Sequence, residues 1–367
     1  MSDRLGRIVA AWEKATEVDA RSLGAARVFF GVYLMALLWP TYAWIADLPS
    51  AFFRPPAFSV VSVLEGFPGA GFFAGLDLVV ALSTVTLTIG WFTRTSSFVL
   101  VAAMLAGDHF AYSFGKIDHP ILLHVSLLAM AWAGWGCSFS VDAWRAPRAR
   151  DRTAGETVSL SVLGICVAFG FFSAGFGKAL NWIDFDLSMN GFASWLYGGY
   201  YTLGRQALLA PVAAALRPVW LWEVADIVAV VFELSAFAAL LRKRWWLGWL
   251  VAACVFHLVN ALVLNIPFLP HVPVYLCFID WVRVWPALTS WVARWEPVAG
   301  AACVSIGLLV IRQSSAGPRG SAWEVLTGLE RWDTGTLWIA LVVWAGAAML
   351  MSAAFLHEQR SKTSTHP

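Results

Sequence analysis

The sequence predicts an all-α, polytopic membrane protein with about eight to ten transmembrane helices and a polar cavity that faces outward. Its composition indicates this class. Hydrophobic residues fill 59% of the 367 positions and charged residues only 13%, whereas soluble domains are about 25% charged. Mean hydropathy is +0.69, and 22 tryptophans suit the interfaces of a bilayer. A net charge of +2 without a basic stripe argues against nucleic acid as a partner.

Residues 1–24 are expected to form an amphipathic helix that lies on the membrane surface. Leu5, Ile8, Val9 and Trp12 fall on one helical face, and charges of both signs surround them. The segment lacks the apolar core and small-residue cleavage site of a signal peptide. We therefore expect it to remain part of the protein as an interfacial element.

Apolar runs of spanning length follow, since a helix needs about 20 residues to cross the hydrocarbon core. They cover residues 25–46, 72–91, 98–114, 120–139, 159–180, 223–241, 246–266 and 335–356. Two weaker candidates, 268–284 and 297–311, are short, and the first contains Pro270 and Pro273. The predicted divisions are a transmembrane domain over 25–285, a transmembrane hairpin over 286–356 and a polar tail over 357–367.

Basic residues predict the orientation of the chain. Lysine and arginine concentrate at one set of helix ends, which includes Arg27, the arginines of 145–152 and the Arg242–Lys243–Arg244 turn. The positive-inside rule then places the N-terminus in the cytoplasm. We expect a multi-pass protein of the plasma (inner) membrane. The longest outer connection, 183–222, is too aromatic for a free loop and indicates an interfacial or re-entrant segment.

Polar side chains inside the predicted spans fall in the outer leaflet or near the midplane. They are Asp77, Asp108, His109, His119, His124, Lys178, Asp226, Glu233, His257 and Asn260. The inner halves of the same spans are nearly all Ala, Val, Leu and Phe. Because buried ionisable groups usually face a bundle interior or a cavity, this layer predicts an outward-facing cavity. A solute transporter is disfavoured, since no polar path reaches the cytoplasmic side.

Simpler structural roles stay open for the individual residues. Lys178 lies near a helix end and could extend to the outer interface, but Gly170 and Ala174 share its face and indicate close helix packing there. His257 and Asn260, one turn apart, could form an interhelical hydrogen bond. The mid-span carboxylate of Glu233 requires a partner or a proton. No metal site is expected, because neither an i,i+4 histidine pair nor H-E-x-x-H occurs.

Four segments resemble one membrane-protein family. They are "FFSAGFGKALNW" (171–182), "DHPILLHVSLLAMAWAGWGCSFSVDAW" (118–144), "VVFELSAFAALL" (230–241) and "VFHLVNALVLNIPFLPHVPVYLC" (255–277). In this order and spacing they resemble the HTTM domain, the membrane domain of vitamin K-dependent γ-glutamyl carboxylase and its bacterial relatives. Each segment is degenerate alone, whereas four in sequence are fairly specific.

The resemblance implies a quinol of the menaquinol or vitamin K type, together with molecular oxygen. In the carboxylase, oxygenation of the quinol generates a strong base that removes a proton from glutamate. By this resemblance the catalytic residues are Lys178, His119, His257 and Glu233. A dry site suits a base at Lys178, because desolvation favours the uncharged amine. We expect Asn260, His124 and Trp182 to contribute to cofactor binding.

A non-enzymatic function is the alternative. Bacterial relatives include SdpB-type membrane proteins, which are needed to mature a secreted peptide together with partner proteins. By this resemblance the cavity would hold a membrane lipid, an exported peptide or a segment of a partner protein. The two interpretations differ in whether Lys178 takes part in turnover or only in binding.

Overall fold

The computed structural model describes residues 2–56, 59–114, 120–146, 157–183, 191–216, 218–287, 290 and 334–363. Within these ranges the regular structure is helical and contains no strand, which confirms the predicted all-α class. The helices are α1 Ser2–Thr16, α2 Ala20–Tyr33, α3 Ala70–Ile89, α4 Thr93–Ala111, α5 Ile121–Ala133, α6 Val141–Arg145, α7 Thr157–Asn181, α8 Gly191–Tyr197, α9 Ala210–Ala215, α10 Val219–Leu234, α11 Ala236–Ala239, α12 Lys243–Val259, α13 Val272–Leu276, α14 Trp281–Val284 and α15 Thr334–Thr363.

Five helical segments of the described chain are long and apolar enough to cross a membrane. They are Ala20–Asp47, Ala70–Ile89, Val158–Asn181, Lys243–Leu264 and Gly335–Ser361. Two of them extend beyond an α-helix: Ala20–Asp47 includes the π turn Leu34–Leu38 and the 3₁₀ turn Ala43–Asp47, and Lys243–Leu264 includes the π turn Asn260–Leu264. These segments indicate a multi-pass membrane protein.

The other predicted spans are helical but shorter or less apolar. The 98–114 span lies in α4 and the 3₁₀ turn Tyr112–Phe114 that follows it, 120–139 contains α5, and 223–241 is divided between α10 and α11. Helix α5 is short because Pro120 precedes it and Gly134, with φ of 74°, ends it in the left-handed conformation. Residues 268–284 break into a 3₁₀ turn, α13 and α14. The 297–311 run lies outside the described residues.

The chain divides into two compact units. Unit 1 comprises Met1–Glu17, Leu160–Phe278 and Trp332–Pro367, and unit 2 comprises Val18–Ser159 and Ile279–Arg331. In unit 2, Gly31 lies directly against Thr88, so that α2 and α3 approach more closely than a side chain on α2 would permit. Phe30 packs edge-on against Trp135 with ring centroids 5.5 Å apart, at the centre of this core.

Arg27 joins three elements of unit 2 although the sequence places it among the inner surface basic residues. Its side chain is fully buried. It donates hydrogen bonds of 2.6 Å to the carbonyls of Leu87 and Thr88 at the end of α3, and further bonds to the carbonyls of Trp135 and Phe139. A guanidinium suits this position because its donors spread in a fixed fork. Arg27 is therefore a structural residue and no surface cation.

The end of the second family-like segment also has a structural role. Asp142 accepts hydrogen bonds from the backbone N–H of Phe92 at 2.9 Å and from the N–H and hydroxyl of Thr93, both at 2.7 Å. These donors lie at the start of α4, where backbone N–H groups lack helical partners. Ser140 caps α6 in the same way through the N–H of Ala143. This segment thus joins two helix starts in unit 2.

In unit 1, α15 packs along α12 with one face. The buried residues of that face are Ala340, Trp344, Ala347, Met351 and Ala354, at spacings of three and four. Val342 and Met349 on the opposite side are exposed, as expected of a helix surface that meets lipid. Asn265 holds the segment before α9 by hydrogen bonds to the backbone N–H and carbonyl of Ala207.

Candidate functional site

Lys178 and Glu233 form an ion pair in unit 1. Lys178 lies in the last turn of α7, and its Nζ donates a hydrogen bond to Oε1 of Glu233 on α10. The Glu233 side chain is 3% exposed and that of Lys178 is 24% exposed. The mid-span carboxylate therefore has the partner that its position requires, and Lys178 turns into the unit instead of extending away from it.

The face that carries Lys178 differs from the predicted one. Ala174 is exposed, whereas Phe171 and Gly175 are buried, so the inward face follows residues 171, 175 and 178. A side-chain carbon built on Gly175 would lie 2.7 Å from Cβ of Glu233. Lys178 does point inward, as close helix packing predicted, but the small residue that permits this packing is Gly175 and not Ala174.

Trp182 closes one side of the pair. The Lys178 amine lies 5.1 Å from the centre of the Trp182 ring, a cation–π contact. The same indole packs on Gly191 at the start of α8. Asp226 of α10 accepts hydrogen bonds from the backbone N–H of Gly191 at 2.9 Å and of Phe192 at 2.7 Å. Asp226 thereby fixes α8 beside Trp182, which explains one buried carboxylate as a structural group.

His257 occupies a second position in unit 1, within a cluster of rings. Its Nε2 lies 2.9 Å from the hydroxyl of Tyr275, and its ring stacks on Trp344 with centroids 4.7 Å apart. His271 and Phe268 approach at 5.1 and 4.9 Å. Asn260, one turn beyond His257, is buried and begins the π turn that ends α12.

Phe171 lies between the two positions. Its ring contacts His257 at 5.9 Å and Phe232, the neighbour of Glu233, at 5.6 Å. Lys178 follows Phe171 by two helical turns, or about 10 Å along α7. Within the described ranges Glu233 is the hydrogen-bond partner of Lys178. Unit 1 therefore holds a charged pair and an imidazole site with an aromatic ring between them.

His124 belongs to unit 2. Its Nδ1 lies 2.9 Å from the carbonyl of Pro120, and its Nε2 lies 3.0 Å from Oδ2 of Asp108. Oδ1 of Asp108 accepts a hydrogen bond of 3.0 Å from Tyr42. Asp77 accepts from the backbone N–H groups of Tyr42 and Ala43, at 2.7 and 3.1 Å. These partly buried acids and the buried His124 thus belong to a polar network within unit 2.

His119, the fourth predicted catalytic residue, lies outside the described residues. Among the residues that the structure describes, no group of three or more His, Cys, Asp and Glu side chains could hold a metal ion. Of the predicted site residues, the structure brings together Lys178, Glu233 and Trp182, and it places His257 and Asn260 in the same unit.

A comparison with protein families decides the assignment. The model of the HTTM domain matches residues 16–285, which contain all four segments noted in the sequence. The chain belongs to the HTTM family. No curated protein and no solved structure matches the chain significantly.

The HTTM domain takes in both the charged pair and His257, but α15 lies beyond its last matched residue. Trp344, which stacks on His257, comes from that helix. No motif in the sequence indicates this contact, because Trp344 is remote in the chain and shares its type with many lipid-facing residues. Tyr275 could have been predicted from the sequence, because it lies one turn after His271 within the 255–277 segment that contains His257. The burial of Arg27 could also have been predicted, because this residue is a lone charge inside the predicted 25–46 span.

Proposed function

We propose that this HTTM-domain protein performs quinol-linked oxidative chemistry on an exported substrate, with Lys178 and Glu233 at the reacting centre. The observation that supports the proposal is that one oxygen of the buried Glu233 carboxylate can still accept a hydrogen bond. Oε1 of Glu233 binds Lys178, whereas Oε2 is buried and has no hydrogen-bond partner among the described residues. Burial of an unmatched carboxylate oxygen costs free energy, so a ligand that brings a hydroxyl donor fits this position.

A quinol has the chemistry that these groups accept. One of its hydroxyls can donate to Oε2 of Glu233, and the partly exposed ammonium of Lys178 can donate to a second oxygen. Trp182 adds an aromatic surface next to the same amine. When bound, a quinol supplies the electrons that reduce molecular oxygen. The named side chains therefore fit binding of the quinol and control of its protons.

The ion pair sets a condition for the role of Lys178 as a base. Nζ donates its hydrogen bond to Oε1 of Glu233, so the amine must lose a proton before it can act as a base. Transfer of the proton from Nζ to Oε1 of Glu233 yields a free amine while the pair stays neutral overall. Such a transfer creates no net charge in a medium of low dielectric constant. Glu233 thus acts as the proton acceptor that allows Lys178 to work as a base.

Oxygen consumption tests the proposal. The full chain in lipid nanodiscs is supplied with menaquinol, and oxygen uptake is measured against nanodiscs without protein. We expect uptake by the wild type and its loss in Lys178→Ala and in Lys178→Arg, because a guanidinium keeps its proton. Lys14→Ala, which changes an exposed lysine of α1, serves as the control and should match the wild type. Wild-type uptake no faster than in empty nanodiscs, or unchanged turnover in Lys178→Ala, would contradict the proposal.

Binding without turnover is the second candidate, and the pairing of Lys178 supports it. An ammonium already bound to Glu233 and Trp182 is suited to hold a lipid or an exported peptide. In that case Lys178→Arg should retain the ligand, because it retains the charge, and Lys178→Ala should lose it. Mass spectrometry of molecules that co-purify with each variant separates this outcome from the catalytic one.

A further inference from the structure

The imidazole of His257 is enclosed by side chains from several elements of unit 1. His257 itself is 3% exposed. Six aromatic rings have their centroids within 6 Å of the imidazole centroid. They are Phe171 of α7, Phe256 of α12, Trp344 of α15, and Phe268, His271 and Tyr275 from the segment that follows α12. A surround of this kind disfavours a charged imidazolium, because burial removes the water that would solvate it.

Tyr275 determines which ring nitrogen carries the proton. It is completely buried, and its hydroxyl lies 2.9 Å from Nε2 of His257. Across the described ranges this is the hydrogen bond that the Tyr275 hydroxyl forms. If Nε2–H were the donor, the phenolic hydrogen would be buried without an acceptor, which is costly. The arrangement that satisfies both atoms of this contact has the hydroxyl as donor and Nε2 as an unprotonated acceptor.

Trp344 fixes the plane of the His257 imidazole, which contacts the hydroxyl of Tyr275. The rings of Trp344 and His257 stack with their centroids 4.7 Å apart and an interplanar angle of 27°. The indole is itself held, because its Nε1–H donates a 2.7 Å hydrogen bond to the carbonyl of Pro267. Rotation of the imidazole away from Tyr275 would break this stack. Helix α15, beyond the matched HTTM domain, thus controls the orientation of a histidine inside that domain.

We propose that Tyr275 and Trp344 are positioning residues that hold His257 as the neutral imidazole protonated on Nδ1. His257 then presents Nδ1–H as a donor and does not use Nε2 as a base, which narrows the catalytic role expected from the sequence. This tautomer of His257 does not depend on the proposed function. Only a catalytic use of the Nδ1–H group rests on the proposed function. A motif histidine of the domain therefore depends in part on Trp344, a residue outside the matched domain.

Nitrogen chemical shifts of the imidazole test the tautomer directly. The full chain is labelled with ¹⁵N-histidine in nanodiscs at neutral pH, and the His257 signals are those lost in His257→Gln. We expect a protonated Nδ1 and an unprotonated Nε2. Tyr275→Phe removes only the hydroxyl and should produce an Nε2–H signal. A protonated Nε2 in the wild type, or unchanged shifts in Tyr275→Phe, would overturn the proposal.

The role of Trp344 is tested with a control on the same helix. Trp344→Leu should broaden or divide the His257 signals, whereas Trp338→Leu, which alters a tryptophan that is 58% exposed, should leave them unchanged. If the leucine variant fails to fold, Trp344→Phe removes the bond to Pro267 and should also divide the signals. Unchanged signals in the folded Trp344 variants refute the role. Because no turnover is measured, absence of oxygen uptake would refute the proposed function and leave this result intact.

Discussion

Glu233 accepts a hydrogen bond from Lys178 although the two residues lie 55 positions apart in the sequence. The bond joins α7 to α10 where Gly175 lets the helices approach. It matches a cation with an anion in a region of the chain that is otherwise apolar. Both the architecture of unit 1 and the proposed chemistry depend on this pair.

Removal of the anion should destabilise the protein. Glu233→Gln leaves the Lys178 ammonium without its counter-charge, and we expect a loss of about 1.5–3 kcal/mol in the free energy of unfolding, the range for hydrogen bonds to charged groups. The partial exposure of Lys178 limits the cost, since water can reach the amine. Denaturant unfolding in mixed micelles measures the change.

A second substitution tests whether the pair causes that loss. Lys178→Met combined with Glu233→Gln removes both charges and should recover part of the stability. Glu65→Gln, at an exposed carboxylate, should leave the unfolding free energy within about 0.5 kcal/mol of the wild type. Additive losses in the double variant would argue that the two side chains do not interact.

Two glycines of α7 should respond differently to alanine. Gly175→Ala places a methyl group 2.7 Å from Cβ of Glu233 and should cost about 1–3 kcal/mol by overpacking. Gly177 has no heavy atom within 4 Å of the same position, so Gly177→Ala should be neutral or stabilise by about 0.5–1 kcal/mol. Unfolding midpoints in one detergent compare the two variants. Equal behaviour would show that α10 does not approach α7 at Gly175.

Arg27→Lys should weaken unit 2 despite conservation of charge. A lysine has a single nitrogen and cannot reach carbonyls of both α3 and the 135–139 turn. We expect a loss of about 1.5–3 kcal/mol in unfolding free energy. Arg4→Lys, at an exposed residue of α1, is the matched control and should have no effect. A stable Arg27→Lys protein would mean that the carbonyls obtain other donors.

Asp142→Ala should loosen the start of α4. The variant removes the acceptor of three hydrogen bonds from Phe92 and Thr93, and loss of such a cap costs about 0.5–2 kcal/mol. Amide hydrogen exchange should accelerate in the first turn of α4. Asp47→Ala, at an exposed aspartate, should not change exchange there. Retained protection at Phe92 and Thr93 would contradict the capping role.

Helix type, membrane class and family were predictable because they depend on properties that neighbouring residues share. Apolar runs of spanning length are visible in the composition of a short window, and the four family-like segments depend on residue identity at short spacing. The requirement that Glu233 find a partner was also predictable, since a carboxylate inside an apolar helix is costly wherever the helix packs. The catalytic role of His119 and the cofactor-binding roles of Asn260, His124 and Trp182 remain predictions.

The identity of contacts was less predictable, for reasons of geometry. The inward face of α7 at Lys178 could not be read from Gly170 and Ala174, because small residues tolerate both lipid and close packing. Arg27 looked like an inner surface charge, but its donors meet carbonyls of residues far away in the chain. His124 could not be assigned to Asp108 and Tyr42 by spacing, since these residues come from α5, from α4 and from the non-helical segment before the 3₁₀ turn Ala43–Asp47.

The sequence by itself determined that this chain is an apolar, all-helical HTTM protein in which each charge within a span needs a partner, because burial in hydrocarbon imposes that requirement locally. Only the tertiary structure decided the partners: Glu233 for Lys178, Tyr275 and Trp344 for His257, and backbone carbonyls for Arg27. Side-chain pairing depends on which helix faces meet, and that is settled by packing among residues remote from one another in the chain.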